Sequence, residues 1–369
     1  MSERIGDTLV RQGVIHPGQL EAALESQVLV GARLGTNLVE QGAVGLDALA
    51  EALAEQRGIP AAKKHHFERA DRALQAKLSP RLAGTWHAVP LGIRERDGRV
   101  VVAVLDPLPP KGAAELEAAL KGPLLQAIAP ELRLLYELER GFGLRRPNRF
   151  LRVPPPKGNP PEAERRRYVR TLSDEPDAEA GETLARVAIR QVAVSASPAI
   201  EAPAAIETFS DALRAIRRAT GRERVAEVAL EAIRRGFSDA VGTAVLFVIR
   251  EHVAFGWKGY GGRADVAIED LAVPLAEPSL LSAPIHRGPY AGPVPAEVSA
   301  IDRQLWALLG AEPTSVAIAP VDVSGRTACL LYAHSETPDT FSAVAGHRLS
   351  ELAQAMSTAF DFLIRAAER

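Results

Sequence analysis

The sequence predicts an α+β protein with two folded domains, and three observations support this fold class. A 24-residue unit occurs twice near the N-terminus, and each copy has the pattern of a helical hairpin. Short β-rich runs alternate with amphipathic helical stretches further along both regions. A segment rich in Pro and charged residues, 144–204, is expected to be a linker, with a short helix near 182–194. The expected domains are therefore 1–143 and 205–369.

Composition limits the classes of function. The chain has 369 residues, of which 47% are apolar, and its formal net charge of −2 gives no overall attraction to nucleic acid or anionic membranes. No apolar run approaches the length of a membrane-spanning helix, and the N-terminus lacks the pattern of a signal peptide. A single cysteine, Cys329, excludes an internal disulfide and cysteine-rich metal sites. We therefore expect a cytoplasmic protein without nucleic-acid binding or membrane insertion.

The two copies, 4–27 and 33–56, agree at ten of 24 positions. Leucines at i, i+4 predict an inward face, Gly13 and Gly42 are placed to end the first helix of each copy in a left-handed conformation, and Pro17 suits a first turn. Packing leaves three matches unexplained: an Arg that begins each copy, a Gly two residues later and a Gln that ends it. A glycine inside a helix costs about 0.5–1 kcal/mol relative to Ala, so its repetition suggests that something approaches the backbone. A purely structural hairpin, capped and solvated by Arg and Gln, is the alternative.

The repeats are followed by a predicted α/β subdomain, 60–143. A helix is expected near 69–78, and the next expected elements are a strand at 88–93, a turn over Arg96-Asp97-Gly98 and a strand at 100–105. Two further helices are expected, one near 112–120 and one ending at Gly141 or Gly143.

The tandem repeats, the VPLGI strand and the DGRVVVAVLDP hairpin together resemble the N-terminal domain of type II secretion and type IV pilus assembly ATPases, the MshEN type that binds cyclic di-GMP. The resemblance covers 1–143, and the motif spacing matches in both copies. Ile5 replaces a Leu in the first copy, and Ala43 replaces a larger aliphatic residue in the second. The chain has no GxxxxGK[ST] motif and no Gly-Lys dipeptide, so the ATPase portion is expected to be absent.

The resemblance implies a cyclic di-GMP site made of two similar half-sites. Arginines would hydrogen-bond guanine acceptors, glycines would let backbone N–H groups approach the ligand, glutamines would bond a guanine edge or phosphate, and leucines would form apolar walls. The implied ligand-binding residues are Arg4, Gly6, Leu9, Leu24, Gln27, Arg33, Leu34, Gly35, Leu38, Leu53 and Gln56.

Residues 205–369 predict two amphipathic helices, the strands TAVLFVIR, EHVAFGWKGYGG and DLAVPL, a helix at SAIDRQLWALLG, two strands joined over 323–326, and a long closing helix. This order is similar to a GAF-like sensor domain with an antiparallel sheet flanked by helices. The closing helix carries an apolar stripe that predicts core packing, with dimerisation as the alternative. The stripe consists of Leu349, Leu352, Met356, Phe360 and Leu363.

No catalytic or metal-binding residue is predicted. Lys63-Lys64-His65-His66 is interpreted as a solvated basic turn, 255–263 as a Gly-rich strand end, and Cys329 as a core residue. No nucleophile–base–acid set is legible among the scattered histidines, which include His286, His334 and His347. We therefore expect a protein that is not an enzyme and needs no cofactor apart from the implied cyclic di-GMP ligand.

The leading hypothesis is a non-catalytic cyclic di-GMP receptor whose GAF-like domain contacts a protein partner or a second copy of the chain. One alternative is an adaptor that docks to pilus or secretion machinery without binding a nucleotide. Another makes the GAF-like half the principal sensor and predicts an enclosed pocket beneath 256–263 and 284–296.

Overall fold

A computed structural model describes residues 4–146, 208–237, 240–264 and 266–368. The chain forms two compact units, one built mainly from 4–146 and the other mainly from 208–368. Most of the predicted linker, including its helix at 182–194, lies outside the described residues, and the domain boundaries drawn from the sequence stay predictions.

The tandem repeats form four helices: α1 (Ile5–Arg11), α2 (Pro17–Val30), α3 (Leu34–Glu40) and α4 (Leu46–Arg57). Gly13 and Gly42 follow the first helix of each copy with φ of +68° and +67°, which confirms the predicted left-handed ends. Pro17 lies in the first turn of α2, as expected. Buried apolar residues from both copies form one shared core, which consists of Leu9, Ile15, Ala23, Leu38, Val44, Leu49 and Ala52.

The subdomain that follows surrounds a three-stranded sheet. Its elements are α5 (Lys64–Glu68), α6 (Arg72–Gln75), α7 (Pro80–Trp86), β1 (Ala88–Ile93), β2 (Val100–Val104), α8 (Pro110–Leu120), β3 (Leu124–Ile128) and α9 (Glu131–Phe142). The central strand β2 pairs antiparallel with β1 and parallel with β3, to which α8 connects it. The hairpin and the final helix were predicted correctly. The helix expected at 69–78 was wrong in extent, because the Asp71 side-chain oxygen caps the N-terminus of a separate short helix, α6. The strand β3 was not predicted.

The second unit is built on a six-stranded sheet with helices on its faces. Its elements are α10 (Phe209–Arg217), α11 (Arg222–Gly236), β4 (Thr243–Arg250), β5 (Val253–Tyr260), a short 3-10 turn (Ile268–Asp270), β6 (Ala272–Pro274), α12 (Ala283–Arg287), β7 (Tyr290–Pro293), α13 (Ala300–Leu309), β8 (Ser315–Val323), β9 (Arg326–Ser335) and α14 (Ala343–Ala367). The strand order is β6-β5-β4-β9-β8-β7, and each neighbouring pair is antiparallel. The predicted central antiparallel sheet is confirmed, whereas β7 and α12 were missed.

Alternate residues of the central strands line two separate cores. On one face, α10, α11 and α14 pack with residues such as Leu246, Cys329 and Leu331. On the other face, Phe247, Leu330 and residues of α13 form a second cluster. All five residues of the predicted apolar stripe on α14 are buried in the first of these cores, which agrees with the core-packing interpretation.

Candidate functional site

The two copies of the repeat place their N-terminal ends side by side. A Cβ added to Gly6 would lie 3.2 Å from Leu34 Cδ2, so the first turn of α1 touches the first turn of α3. Arg4 and Arg33 occupy the N-cap positions of these helices with the same extended backbone, φ −69° and ψ 145° against φ −78° and ψ 151°. The two copies are therefore equivalent in structure as well as in sequence, and each of the two neighbouring helix N-termini is preceded by an arginine.

Helix packing explains the repeated glycines. A Cβ on Gly6 would lie 2.5 Å from Leu20 Cδ1, and a Cβ on Gly35 would lie 2.9 Å from Leu49 Cδ2. Both leucines belong to the second helix of the same copy, so in each copy the helices approach closely only because this position has no side chain. The sequence analysis explained the two glycines by the approach of a ligand to their backbone, whereas the structure shows that they allow the helices of each copy to pack closely. Direct contact of their backbone with a ligand stays a prediction.

Arg33 is surrounded by charged groups that the sequence does not bring together. Its Nη1 and Nη2 donate to the two carboxylate oxygens of Asp106 at 3.0 and 2.5 Å, and Nε lies 3.8 Å from Glu131 Oε1. Arg57 Nη2 also approaches Asp106 at 3.5 Å. The hydrogen bond from Arg33 holds the pKa of Asp106 below its ordinary value, although partial burial opposes this, and the same bond raises the pKa of Arg33. We call these four residues the Arg33 cluster.

The Arg33 cluster is open to solvent. The side chains of Arg33 and Asp106 are each 45% exposed. Exposed ion pairs contribute between about 0 and 1 kcal/mol, so little free energy holds these two partners together. Arg4, in the other copy, is exposed, and its guanidinium has no hydrogen bond or ion pair with the residues that the structure describes. Both arginines can therefore reach a ligand.

The predicted walls divide into buried and accessible residues. Leu9 and Leu38 are 0% exposed in the core of the repeats. Neither side chain has surface left for a ligand in this conformation, and their implied contact with the ligand stays a prediction. Leu24, Leu34 and Leu53 are only partly buried. These three leucines retain surface that a base or sugar could cover.

The two glutamines that end the repeats are partly buried. Gln27 Nε2 donates to the carbonyl of Ala32 at 3.3 Å, across the junction that leads to Arg33. Gln56 holds the equivalent position at the end of α4. Gln27 thus has a structural role beside its implied ligand role, which stays a prediction.

Asp106, Arg57 and Glu131 were not among the predicted site residues. Asp106 lies 73 residues after Arg33 in the sequence and follows the end of β2. The Asp106-Pro107 pair could have identified this carboxylate from the sequence, because a turn after a buried strand places its side chain where the strand leaves the sheet. Its partner could not be inferred without the fold.

In the second unit, Cys329 and two glycines of 255–263 have structural roles. Cys329 is fully buried, and burial raises the pKa of its thiol to about 12, which agrees with a core cysteine. A Cβ on Gly256 would lie 1.9 Å from Ile268 O, and a Cβ on Gly259 would lie 2.6 Å from Ala244 O, so close backbone approach explains these glycines. His286, His334 and His347 lie on α12, β9 and α14, respectively.

The basic turn of the first unit is held by its neighbours. The ammonium of Lys63 pairs with Glu51, the backbone N–H of Lys64 donates to Asp47 Oδ1 at 2.9 Å, and the N–H of Lys63 donates to His66 Nδ1 at 2.9 Å. The described ranges contain no group of three or more His, Cys, Asp or Glu side chains arranged to hold a metal ion. No helix in the described part of the chain has the length and apolar character needed to cross a membrane.

No protein-family model matches the chain. Two curated proteins are similar to part of it, and both are type IV pilus assembly ATPases PilB. The one from Myxococcus xanthus is 29% identical over 148 residues, which cover 40% of this chain and 26% of the relative. The one from Thermus thermophilus is 30% identical over 155 residues, which cover 42% of this chain and 17% of the relative. The chain thus spans about a quarter or less of the length of these relatives.

Solved structures give weaker likenesses. The structure of MshE with cdg is 28% identical in sequence and has a TM-score of 0.30. The alignment covers 38% of this chain and 99% of that one. The free methionine-R-sulfoxide reductase from Neisseria meningitidis is 15% identical, with a TM-score of 0.35 and coverage of 43% and 90%. The GAF domain of an Acinetobacter phosphoenolpyruvate-protein phosphotransferase is 12% identical, with a TM-score of 0.33 and coverage of 44% and 93%. What the comparisons show is sequence similarity to type IV pilus assembly ATPases over about two fifths of the chain.

Proposed function

We propose that the first unit binds cyclic di-GMP through its tandem repeats. The observation that carries this proposal is the juxtaposition of two equivalent helix starts, joined where Gly6 meets Leu34 and each preceded by an arginine. Cyclic di-GMP is a two-fold symmetric dianion with two guanines and two phosphates. Two like half-sites side by side offer such a ligand the same contact twice.

The Arg33 cluster has the donor and acceptor groups that guanine requires. A guanidinium donates two parallel hydrogen bonds to guanine O6 and N7. A carboxylate accepts hydrogen bonds from N1–H and the 2-amino group of guanine, so Asp106 can bind the adjacent Watson–Crick edge of a base. Because the Arg33–Asp106 pair is 45% exposed on both sides, a base can replace part of their mutual contact at small cost.

The surroundings of the arginines supply apolar surface. Leu34 lies directly after Arg33 and retains part of its exposure, as do Leu24 and Leu53 on the second helices of the copies. Leu9 and Leu38, which are buried beneath them, hold the helices in place without touching a ligand. In this proposal, three leucines of the implied set contact the bases or sugars.

Beyond ligand binding, we propose that the protein is a non-catalytic receptor in signalling linked to type IV pilus or type II secretion systems. The sequence similarity to type IV pilus assembly ATPases supports the pilus context. The second unit would transmit the signal by binding a protein partner or a second copy of the chain.

A docking role without nucleotide is the second candidate, and the Arg33 cluster is the observation in its favour. All three nitrogens of the Arg33 guanidinium lie within 4 Å of a carboxylate oxygen of Asp106 or Glu131. In this second candidate, Arg33 serves to join α3 to the subdomain. The repeats would then be a scaffold for a protein of the pilus or secretion machinery.

Calorimetric titration of the purified protein with cyclic di-GMP separates the two candidates. Arg4→Ala and Arg33→Ala should each weaken binding about 5- to 150-fold, the effect of removing about 1–3 kcal/mol of base recognition. Arg11→Ala is the matched control, since Arg11 lies in the same repeat as Arg4, is 56% exposed and pairs with Glu55 at 3.3 Å. GMP should bind more weakly than the cyclic dinucleotide, because it can occupy only one half-site at a time.

The opposite results would favour docking. No heat with either nucleotide, together with an unchanged melting temperature, would leave a duplicated helical scaffold. Equal binding by the wild type, Arg4→Ala and Arg33→Ala would place any nucleotide elsewhere.

A further inference from the structure

The second unit contains a cleft that the proposed function does not use. It has a volume of about 430 Å³ and lies where the start of β4, the ends of β5 and β9 and the end of α13 meet. Its lining comes from Ala240, Gly242, Thr243, Gly261, Gly262, Leu309, Gly310, Ala311, His334, Glu336 and Thr337. Gly261 and Gly262 have φ of +77° and +83° and leave the backbone bare on one side. No residue of 284–296 lines this partly open cleft, so it is a different site from the enclosed pocket expected beneath 256–263 and 284–296, which stays a prediction.

A buried chain of hydrogen bonds ends at the cleft. Trp306 Nε1 donates to the hydroxyl of Tyr332 at 3.0 Å, and the same hydroxyl lies 2.9 Å from His334 Nδ1. Tryptophan can only donate, so the Tyr332 oxygen accepts from it. Among the described residues, His334 Nδ1 is the one acceptor within hydrogen-bond distance of the Tyr332 hydroxyl, so we assign the hydroxyl hydrogen to that bond. Burial raises the pKa of Tyr332, so the hydroxyl keeps that hydrogen.

This chain fixes which nitrogen of His334 carries the proton. Nδ1 is an acceptor, so in the neutral ring the hydrogen is on Nε2. Burial lowers the pKa of His334 to about 4, so the ring is neutral at physiological pH. His334 is 2% exposed and lines the cleft, and its Nε2 forms no hydrogen bond with any residue that the structure describes. Nε2–H is therefore an oriented donor on the wall of the cleft, available to a molecule bound there.

The other polar groups of the cleft are acceptors or hydroxyls. Thr243 pairs with His334 across β4 and β9, is 4% exposed, and its hydroxyl has no hydrogen bond within the described residues. Glu336 adds a carboxylate at the rim, and Leu309 and Gly310 bring the carbonyl end of α13, which is the negative end of its dipole. A neutral imidazole beside these groups does not attract an anion, so a phosphate or carboxylate ligand is disfavoured.

We propose that the cleft binds a small uncharged molecule whose carbonyl oxygen stands next to N–H groups, as in lactams and ureides. The carbonyl accepts from His334 Nε2–H, and the N–H groups donate to the Glu336 carboxylate and the carbonyls that end α13. The hydroxyl of Thr243 adjusts to either partner, since it both donates and accepts. This site is separate from the tandem repeats and does not depend on the nucleotide proposal.

Nitrogen-15 NMR of the histidine rings tests the proposal in the full-length protein. The chain has eight histidines, and the His334 signal is assigned by its loss in His334→Gln. Uracil, a cyclic ureide, should shift the His334 Nε2–H resonance in a saturable way. 1,3-Dimethyluracil keeps both carbonyls but has no N–H group, so it should bind about tenfold more weakly, the effect of losing a hydrogen bond of about 1.4 kcal/mol. Acetate should leave the resonance unchanged.

Variants separate binding from folding. Thr243→Val is close in shape and should weaken uracil binding with little change in melting temperature. His334→Gln can accept from Tyr332 and donate into the cleft, so it should bind better than His334→Leu when both are measured by saturation-transfer difference. His347→Gln, on the exposed side of α14, should bind like the wild type. The proposal is overturned if uracil leaves the His334 signal unshifted, if acetate binds as well as uracil, or if Thr243→Val and His334→Leu bind uracil like the wild type.

Discussion

Asp106→Asn is the substitution that most directly distinguishes a ligand site from a structural ion pair. Asparagine has nearly the same shape as aspartate but carries no charge and presents one acceptor oxygen in place of two. In the structure, Asp106 accepts two hydrogen bonds from Arg33, at 3.0 and 2.5 Å, and lies 3.5 Å from Arg57. The change therefore weakens three charged contacts without removing the side chain.

The structure sets different magnitudes for stability and for binding. Both side chains of the Arg33–Asp106 pair are 45% exposed, and solvent screening limits such pairs to about 1 kcal/mol or less. Asp106→Asn should therefore lower the free energy of unfolding by less than about 1 kcal/mol. A direct hydrogen bond to a guanine edge is worth about 1–3 kcal/mol, so cyclic di-GMP affinity should fall by more than stability does.

Urea denaturation and calorimetric titration on the same preparation measure the two effects. Asp97→Asn is the control, since Asp97 forms a two-bond pair with Arg94 in the β1–β2 turn and loses the same charge. It should leave cyclic di-GMP binding unchanged. Unchanged binding by Asp106→Asn would remove Asp106 from the site. A loss of stability above about 2 kcal/mol, with no loss of affinity, would make the Arg33 cluster a structural element of α3 and contradict the reasoning from exposure.

Three further predictions concern the folded units. Leu38→Ala should lower the free energy of unfolding by about 2–5 kcal/mol in urea denaturation, because Leu38 is fully buried. The control Val14→Ala, at a residue that is 37% exposed, should lower it far less. Equal effects of the two substitutions would contradict the assignment of Leu38 to the core. Gly13→Ala should cost about 1–2 kcal/mol in the same assay, because φ is +68° there, and an unchanged midpoint would contradict the left-handed helix end. His334 binds a proton more weakly in the folded state, about 4 against 6.5, so stability should rise by up to about 3 kcal/mol as pH increases through this window. Thermal melts should show this rise in the wild type but a smaller one in His334→Gln, and identical pH profiles would contradict a buried neutral imidazole.

Local patterns in the sequence were enough to predict most of the fold. The strand at 243–250 and the hairpin over 323–326 were placed correctly, since the apolar runs are long and Ser324 and Gly325 take the positive φ of a tight turn. The helix ends at Gly13 and Gly42 were also predicted, because glycine adopts the left-handed conformation without strain. β3, by contrast, is five residues long and lies between two helices, where periodicity gives no clear signal.

The candidate site was less accessible from sequence, because its contacts join residues that are distant along the chain. The arginines of the repeats could be singled out, but Asp106 becomes a partner of Arg33 only when β2 and α3 are packed in one unit. The leucines show the opposite difficulty. Leu9 and Leu38 were grouped with the ligand walls by resemblance, although their helical spacing already indicated an inward face. His334 carried no sequence signal, since its tautomer depends on Tyr332 and Trp306.

The junction between the two repeats has a consequence for how the duplication can evolve. The chain reverses there through two residues of positive φ, Gly31 at +83° and Ala32 at +63°, and the Gln27 amide spans the reversal to the Ala32 carbonyl. One residue inserted into the end of α2 would rotate the following chain by about 100° and advance it by about 1.5 Å, which moves Arg33 away from Arg4. Substitutions on the surface of either copy leave that geometry intact. Selection at this junction is therefore expected to act on spacing more than on residue identity, so insertions and deletions should be rarer here than amino-acid replacements.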